Sequence, residues 1–357
     1  MTVAAPAPRP HNGSVPPTEG RPPPTTPAST SSAPSALERI KELEFEQRGR
    51  LRSATRGILT LAFLRLAARR FLGRTLPAGA RPVPRPPAGT VALTWGGHAT
   101  VMITTPALRI VVDPVLETSL HGLPRARAAA LDEGDLDDVG LVLLTQGTRD
   151  HLSPATLDRL SRRATLVVPP DCEPLVDKLG FARVVELGAR QAHEQAGVRV
   201  TAVPGHQASR HGGFDGKHRG ANGYVIAVAD GDHVIYVAGD TGYFSGLAEV
   251  GRRFAPDVAV LPIGGYQPAP FRRQRLTPLD ALYAFQDVRA RVLVPIAYGS
   301  FVRSYEPLDE PLAWLRQAAA ARGVSDAVVA LEHGQTCLIR RRPGRPGGRP
   351  DGRPAGQ

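Results

Sequence analysis

The stretch Leu141–Pro154, LVLLTQGTRDHLSP, decides how the chain is read. Leu141 to Leu144 form a short apolar run of the length expected for a buried strand. The run stops at Thr145, and the polar residues after it end in Asp150-His151. A strand that ends in Asp-His has the look of a metal rim, because carboxylate and imidazole are common metal ligands. Gln146 and Thr148 occupy the two positions where more such side chains would be expected. Three possibilities stay open: a working metal centre, a reduced one, or the remnant of one.

Upstream of this stretch, Val91–Thr94, Thr100–Thr104 and Leu108–Val112 are short apolar runs separated by turns, a meander of strands. Downstream, Ser153 is placed to cap a helix over Pro154–Ser161. Further strands are expected at Thr165–Val168, Val184–Leu187, Val198–Val203, Gly223–Ala229, His233–Ala238, Val258–Leu261, Val292–Pro295, Ala327–Leu331 and Thr336–Ile339. Asp230-Gly231-Asp232 is a hairpin turn signal between two of them. Helices are expected at Glu173–Leu179, at Pro278–Gln286 behind a Thr277 cap, and at Leu312–Ala321. Strands cluster first and then alternate with helices. The fold class that satisfies this pattern is α/β, a sandwich of two mixed sheets with outer helices. The absence of an internal repeat argues against a solenoid.

The ends of the chain have a different character. Residues 1–35 are rich in Pro, Ser, Thr and Ala, and residues 340–357 in Arg, Pro and Gly. Neither segment can bury enough apolar surface to offset its ordering entropy, so both are expected to be disordered. Residues 36–89 read as a helical lead-in, charged over Ala36–Arg52, and a Pro-rich linker from Leu76 to Gly89. Residues 90–339 form the globular domain. The net charge of +11 sits in the ends: residues 1–90 carry fourteen Lys/Arg against five Asp/Glu, and residues 340–357 carry six Arg against one Asp. The globular part is mildly acidic. Weak nucleic-acid or membrane-surface contact through the basic tails stays open beside a purely solubilising role.

The apolar, arginine-rich segment Arg52–Arg74 is too short in uncharged run to span a bilayer. It is left to pack on the domain, to pair with another subunit in a homo-oligomer, or to lie on a membrane. Cys172 and Cys337 have no metal or redox spacing and are expected to be inert buried thiols. The opening residues lack a signal-type apolar stretch, which makes a cytoplasmic location the simplest expectation.

Every candidate polar residue follows an apolar run: His98, Asp113, Asp150-His151, His206 and Asp240. Strand ends that converge on one rim are how mixed sheets build sites. The motifs TWGGHATVMI, RIVVDPV, LTQGTRDHLSPATLDRL, VPGHQASR, YVAGDTGYF, LPIGGYQP and PIAYGSF occur in that order. Together they resemble the metallo-β-lactamase fold superfamily, over about residues 90–335. Within it they look most like the branch of ascorbate-6-phosphate lactonase and N-acyl-phosphatidylethanolamine phospholipase D.

The resemblance implies an αββα sandwich and a metal-dependent hydrolase. It also shows what is missing. Of the family's seven ligand positions, Asp150, His151, His206 and Asp240 match, while Gln146, Thr148 and Ala297 replace histidines. By that correspondence a paired-metal centre is not expected. One ion at most, zinc or manganese, would sit at Asp150, His151 and Asp240, with His206 as ligand or general base. Asp150 and His206 are the catalytic candidates. His98, Gln146, Thr148, Tyr266 and Tyr298 are candidates for supporting the site or contacting substrate, and Asp113 for a structural role. His211 and His218, in the glycine-rich loop 209–223, are possible spare ligands. The implied substrate is a small molecule carrying a phosphodiester, lactone or related ester. The alternative is a metal-free member, with the same residues as a hydrogen-bonded cluster in a cleft that binds a small ligand or a protein.

Overall fold

The computed structural model describes residues 75–78, 85–120, 122–206, 219–228 and 232–340. The expectations for both tails, for the charged helix, for Arg52–Arg74, and for His211, His218 and the Asp230-Gly231 turn lie outside these residues.

The chain opens with a meander, β1 (Thr90–Gly97), β2 (Thr100–Thr104) and β3 (Arg109–Val112), followed by a small hairpin, β4 (Ser119–Leu120) and β5 (Leu123–Pro124). A one-turn helix α1 (Glu133–Leu136), capped by Asp132 in a reciprocal capping box, leads into β6 (Val139–Leu143). Then come α2 (Pro154–Leu157), β7 (Thr165–Val168), β8 (Arg183–Glu186), β9 (Ala192–Gln195), β10 (Val198–Pro204), β11 (Asn222–Val228) and β12 (His233–Val237). The last part alternates: α3 (Gly246–Phe254), β13 (Val258–Pro262), α4 (Pro278–Asp287), β14 (Val292–Ile296), α5 (Glu310–Ala321) and β15 (Thr336–Arg340).

One sheet has seven strands in the order β15-β1-β2-β3-β6-β7-β8, and the other has six, β14-β13-β12-β11-β10-β9. Both are mixed. The β3-β6-β7-β8 half of the first sheet and the β12-β13-β14 half of the second run parallel. Period-two alternation explains the layering. Val91, Leu93, Trp95, Val101 and Ile103 of the first sheet meet Val200, Ala202, Tyr224, Ile226 and Val260 of the second in one core between the sheets. The intervening Met102, Val111 and Val142 face outward into a second core that includes Leu136 of α1 and Leu157 of α2. Val225, Tyr236 and Ala259 of the other sheet pack on α3, α4 and α5. The expected four layers are present. Burying one Val, Leu or Ile is worth about 1.5–3 kcal/mol, so these three cores outweigh any single polar contact described below.

Local signals set most element ends. Ser153 Oγ accepts from Thr156 N–H, as expected of a cap, and Thr277 and Asp280 cap α4 reciprocally. Three expectations need correction. The helix expected to reach Ser161 ends at Leu157, where Arg162 donates to the Leu157 carbonyl. Glu173–Leu179 is two 3-10 turns, Glu173–Leu175 and Asp177–Leu179, with Pro174 in the first and left-handed Gly180 ending the second. Ala327–Leu331 is no strand: a 3-10 turn at Ser325–Ala327 leads to one bridge between Val328 and Leu293. The hairpin β4-β5, the one-turn α1, strand β9 and helix α3 were not anticipated; β9 has too few apolar residues to signal, and α3 carries Gly246 and Gly251. Among the described residues no helix is long and apolar enough to cross a membrane.

Candidate active site

Parallel strands deliver their carboxyl ends to one rim, which is where this topology builds a site. Asp113 lies just past β3, Thr145 to His151 past β6, Asp240 past β12, and Ala297 to Arg303 past β14. Asp113 takes a left-handed backbone (φ 45°), which turns its buried carboxylate back towards the end of β6. There it accepts from Thr145 N–H at 2.7 Å, Thr145 Oγ1 at 2.6 Å and His151 Nδ1 at 2.7 Å.

That last bond fixes the chemistry of His151. A carboxylate only accepts, so Nδ1 carries the proton and Nε2 is left with a lone pair. Nε2 faces Asp240 Oδ2 at 3.3 Å and Asp150 Oδ2 at 3.4 Å. A lone pair against two carboxylate oxygens is stable only with a cation between them, either a second proton or a metal. Burial alone would lower the His151 pKa, but Asp113, Asp150 and Asp240 override it and raise it well above the ordinary imidazole range.

Asp240 owes its position to Gly239. That glycine is left-handed (φ 64°), and a Cβ there would meet Thr145 Cβ at 2.8 Å. The ligand atoms of Asp150, His151 and Asp240 all lie within 4.8 Å of one another, and all three residues are buried. Thus three of the four residues expected to converge do so. His206 does not join them. Its exposed ring stacks on Phe244 at 5.5 Å, and its N–H donates to Thr241 Oγ1. Its expected roles as ligand and general base have no support in this geometry.

Two arginines do join the cluster, and neither was singled out in the sequence. Arg275, from the loop before α4, brings Nη1 to 2.7 Å from Asp240 Oδ2 and Nη2 to 3.9 Å from Asp150 Oδ2. Left-handed Gly265 makes room for it, since a Cβ there would lie 3.0 Å from Arg275 Nη1. The Arg275–Asp240 contact is an ion pair by distance but lacks hydrogen-bond alignment, so Asp240 Oδ2 and His151 Nε2 are both buried without a hydrogen-bond partner. Arg303, past β14, donates from Nη2 to Asp150 Oδ2 and from Nη1 to His98 Nε2, the latter at 3.1 Å. Burial by itself would raise both carboxyls. Arg303, His151 and Arg275 instead hold Asp150 well below the usual carboxylate range, and Arg275 and His151 do the same for Asp240. The only available signal for these arginines was their position just past LPIGGYQP and PIAYGSF.

The supporting candidates divide. His98, left-handed and buried, accepts from Arg303, and its N–H donates to Ser300 Oγ at 2.7 Å. Burial first, then the nearby Arg303 and His151, keep it neutral, which suits an acceptor. Gln146 is buried with neither amide atom partnered, and Thr148 Oγ1 is buried and unpartnered too. Tyr298 stacks on Trp95 at 4.8 Å and lines a small cavity beside Arg275 and Arg303. Tyr266 is fully buried and donates to Glu310 Oε1 of α5 at 2.7 Å, so it ties α5 to the domain and does not line that cavity. The Ala297 side chain offers no metal-ligand atom, and its backbone N–H donates to the His98 carbonyl.

The donor set fits one metal and not two. Three ligand atoms, with His151 Nε2 held ready by Asp113 and Asp240 Oδ2 left without a hydrogen bond, suit one open site. No second set of three ligands appears among the described residues.

Residues 108–298 match the family described as "Beta-lactamase superfamily domain". A "UPF0173 metal-dependent hydrolase" of Methanopyrus kandleri is 30% identical over 247 residues, which is 68% of this chain and 98% of that protein. Among solved structures, the metallo hydrolase Igni18 from Ignicoccus hospitalis aligns with a TM-score of 0.55 at 24% identity, covering 71% of this chain and all of that one. An isothiocyanate hydrolase from Delia radicum gut bacteria aligns with a TM-score of 0.58 at 20% identity, covering 70% and all of that chain. At these identities the structural likenesses establish the fold alone, the metallo-β-lactamase fold.

Proposed function

The chain belongs to the beta-lactamase superfamily, and from that premise we propose that it is a metal-dependent hydrolase reduced to one ion, acting on a small molecule with a phosphodiester, lactone or related ester. The observation that carries this is the buried trio Asp150, His151 and Asp240, in which His151 Nε2 and Asp240 Oδ2 face each other at 3.3 Å with no aligned hydrogen bond. Two carboxylates and one imidazole suit zinc or manganese. A bound ion would supply Lewis acidity and lower the pKa of water. The chain's own residues do the rest. Asp113 locks the His151 tautomer and ring. His98 takes one hydrogen bond from Arg303 and so aims its guanidinium at the centre. Arg275 and Arg303, only 18% and 20% exposed, are placed to hold an anionic group of the substrate. Tyr298 and the turn Gly264-Gly265 form the wall beside them. The substrate class is taken by analogy with the lactonase and phospholipase D-like branch.

The test is elemental analysis of untagged protein after zinc or manganese loading and dialysis. About one equivalent is expected, released by Asp150→Ala, with ester or phosphodiester hydrolysis lost in parallel. Less than about a tenth of an equivalent would remove the hydrolase reading. One observation favours a second reading, metal-free ligand binding: both carboxylates already carry a guanidinium.

A further inference from the structure

We infer that Arg275 and Arg303 are built-in competitors for the cation position, so that this chain takes up a metal only when the two guanidiniums leave. The inference deepens the hydrolase reading and rests on it. Asp150 Oδ2 and Asp240 Oδ2 face His151 Nε2, and they are the same oxygens that contact the arginines. A zinc ion sits about 2.0–2.2 Å from a carboxylate oxygen. With Arg275 Nη1 at 2.7 Å from Asp240 Oδ2, an ion bound to that oxygen would lie within about 5 Å of the guanidinium. Like charges that close in a buried site repel strongly. Charge balance points the same way. Three carboxylates, Asp113, Asp150 and Asp240, face two guanidiniums and the His151 imidazole, and putting a divalent ion in place of the second imidazole proton leaves one uncompensated positive charge away from water.

Geometry also supplies the way out. Both arginine side chains are partly exposed, while Asp150 and Asp240 are 6% and 1% exposed. On this inference metal uptake requires the guanidiniums, which reach solvent at one edge, to leave while the carboxylates beneath them stay in place. The cavity next to both arginines holds about 20 Å³, room for one water. When displaced, the guanidiniums reach the rim where an anionic substrate group would enter. One movement would then open the metal position and place two cations for substrate.

Zinc and manganese titration calorimetry on the wild type, Arg275→Gln, Arg303→Gln and the double variant tests this. The expected result is metal affinity raised about tenfold or more by each single change and further in the double. Thermal unfolding gives the second readout. The variants should lose Tm without metal, because a buried carboxylate is left unpaired, and should regain it on metal addition by a larger shift than the wild type shows. Arg275→Lys and Arg303→Lys keep a charge and guard against misfolding; they should fall between wild type and Gln. If the wild type binds metal tightly and folded variants bind no tighter, the inference fails and the hydrolase reading stands. If the variants bind and the wild type does not, the inference stands and the hydrolase reading of the wild type fails. Uptake by none of the proteins ends both.

Discussion

The two sheets furnish the rim in opposite ways. On the seven-stranded side, Asp113 and Thr145 bind His151 in a dense set of hydrogen bonds that leaves one ring nitrogen free. On the six-stranded side, Asp240 is the one candidate ligand that reaches the centre. His206 faces solvent, the Ala297 side chain has no metal-ligand atom, and Arg275 and Arg303 come in from the loops past β13 and β14. The seven-stranded side supplies Asp150 and the hydrogen-bonded His151, and the six-stranded side supplies Asp240 and brings in the two guanidiniums. The difference teaches that one side can fix a ligand set while the other balances its charge, because a buried carboxylate pair must find positive charge from some source.

Substitutions can break or sharpen that contrast. The largest effect is expected at Asp113→Ala, which strands the Thr145 N–H, the Thr145 hydroxyl and His151 Nδ1 in a buried place. A loss of about 3–5 kcal/mol in urea unfolding is expected. A loss below about 1 kcal/mol would show that these hydrogen bonds do not hold the seven-stranded side of the rim together. Leu143→Ala removes a fully buried side chain of β6 from the core between the sheets, and should cost about 3 kcal/mol while leaving metal stoichiometry intact.

His333 sits at the seam of the two halves, with Nε2 beside Ser300 Oγ and the ring edge against Trp95. Burial is the main cause that lowers its pKa to about 4. A depressed His contributes stability that is complete above the unfolded pKa, near 6.5, and is lost as pH falls through about 4. Stability should therefore decline on acidification across that window by an amount on the order of 3 kcal/mol from this group. His333→Gln should flatten the slope; an unchanged slope would assign it to other groups. The smallest effect belongs to His206→Ala. Its ring is exposed, so stability should move by less than about 0.5 kcal/mol and metal uptake should not change. A lost metal would mean that His206 swings in as a ligand after all.

Much of the fold was legible because apolar runs of four or five residues, capped by Ser153 and Thr277, mark strands and helices directly. What was illegible had weak local signals: β9 with one buried side chain, α3 with two glycines, and the 3-10 turns around Pro174. Within the site, Asp150, His151 and Asp240 stood out as residues that follow apolar runs, in company with His98, Asp113 and His206, and only the family resemblance named a ligand set, of which His206 does not join the centre. Asp113 was underrated, since nothing local says that a left-handed backbone will point its carboxylate at a residue 38 positions away. Arg275 and Arg303 were missed for a simpler reason. Arginine is common in this chain, with 44 Lys and Arg in all, so its presence near a motif carries little information until a structure shows which carboxylate it meets.

The most direct test is a crystal structure of the intact protein grown with zinc or manganese, with anomalous data collected at the metal edge. The account predicts one anomalous peak between Asp150, His151 Nε2 and Asp240, with both guanidiniums drawn back from those carboxylates. A peak-free map with Arg275 and Arg303 still seated on Asp240 and Asp150 would contradict it.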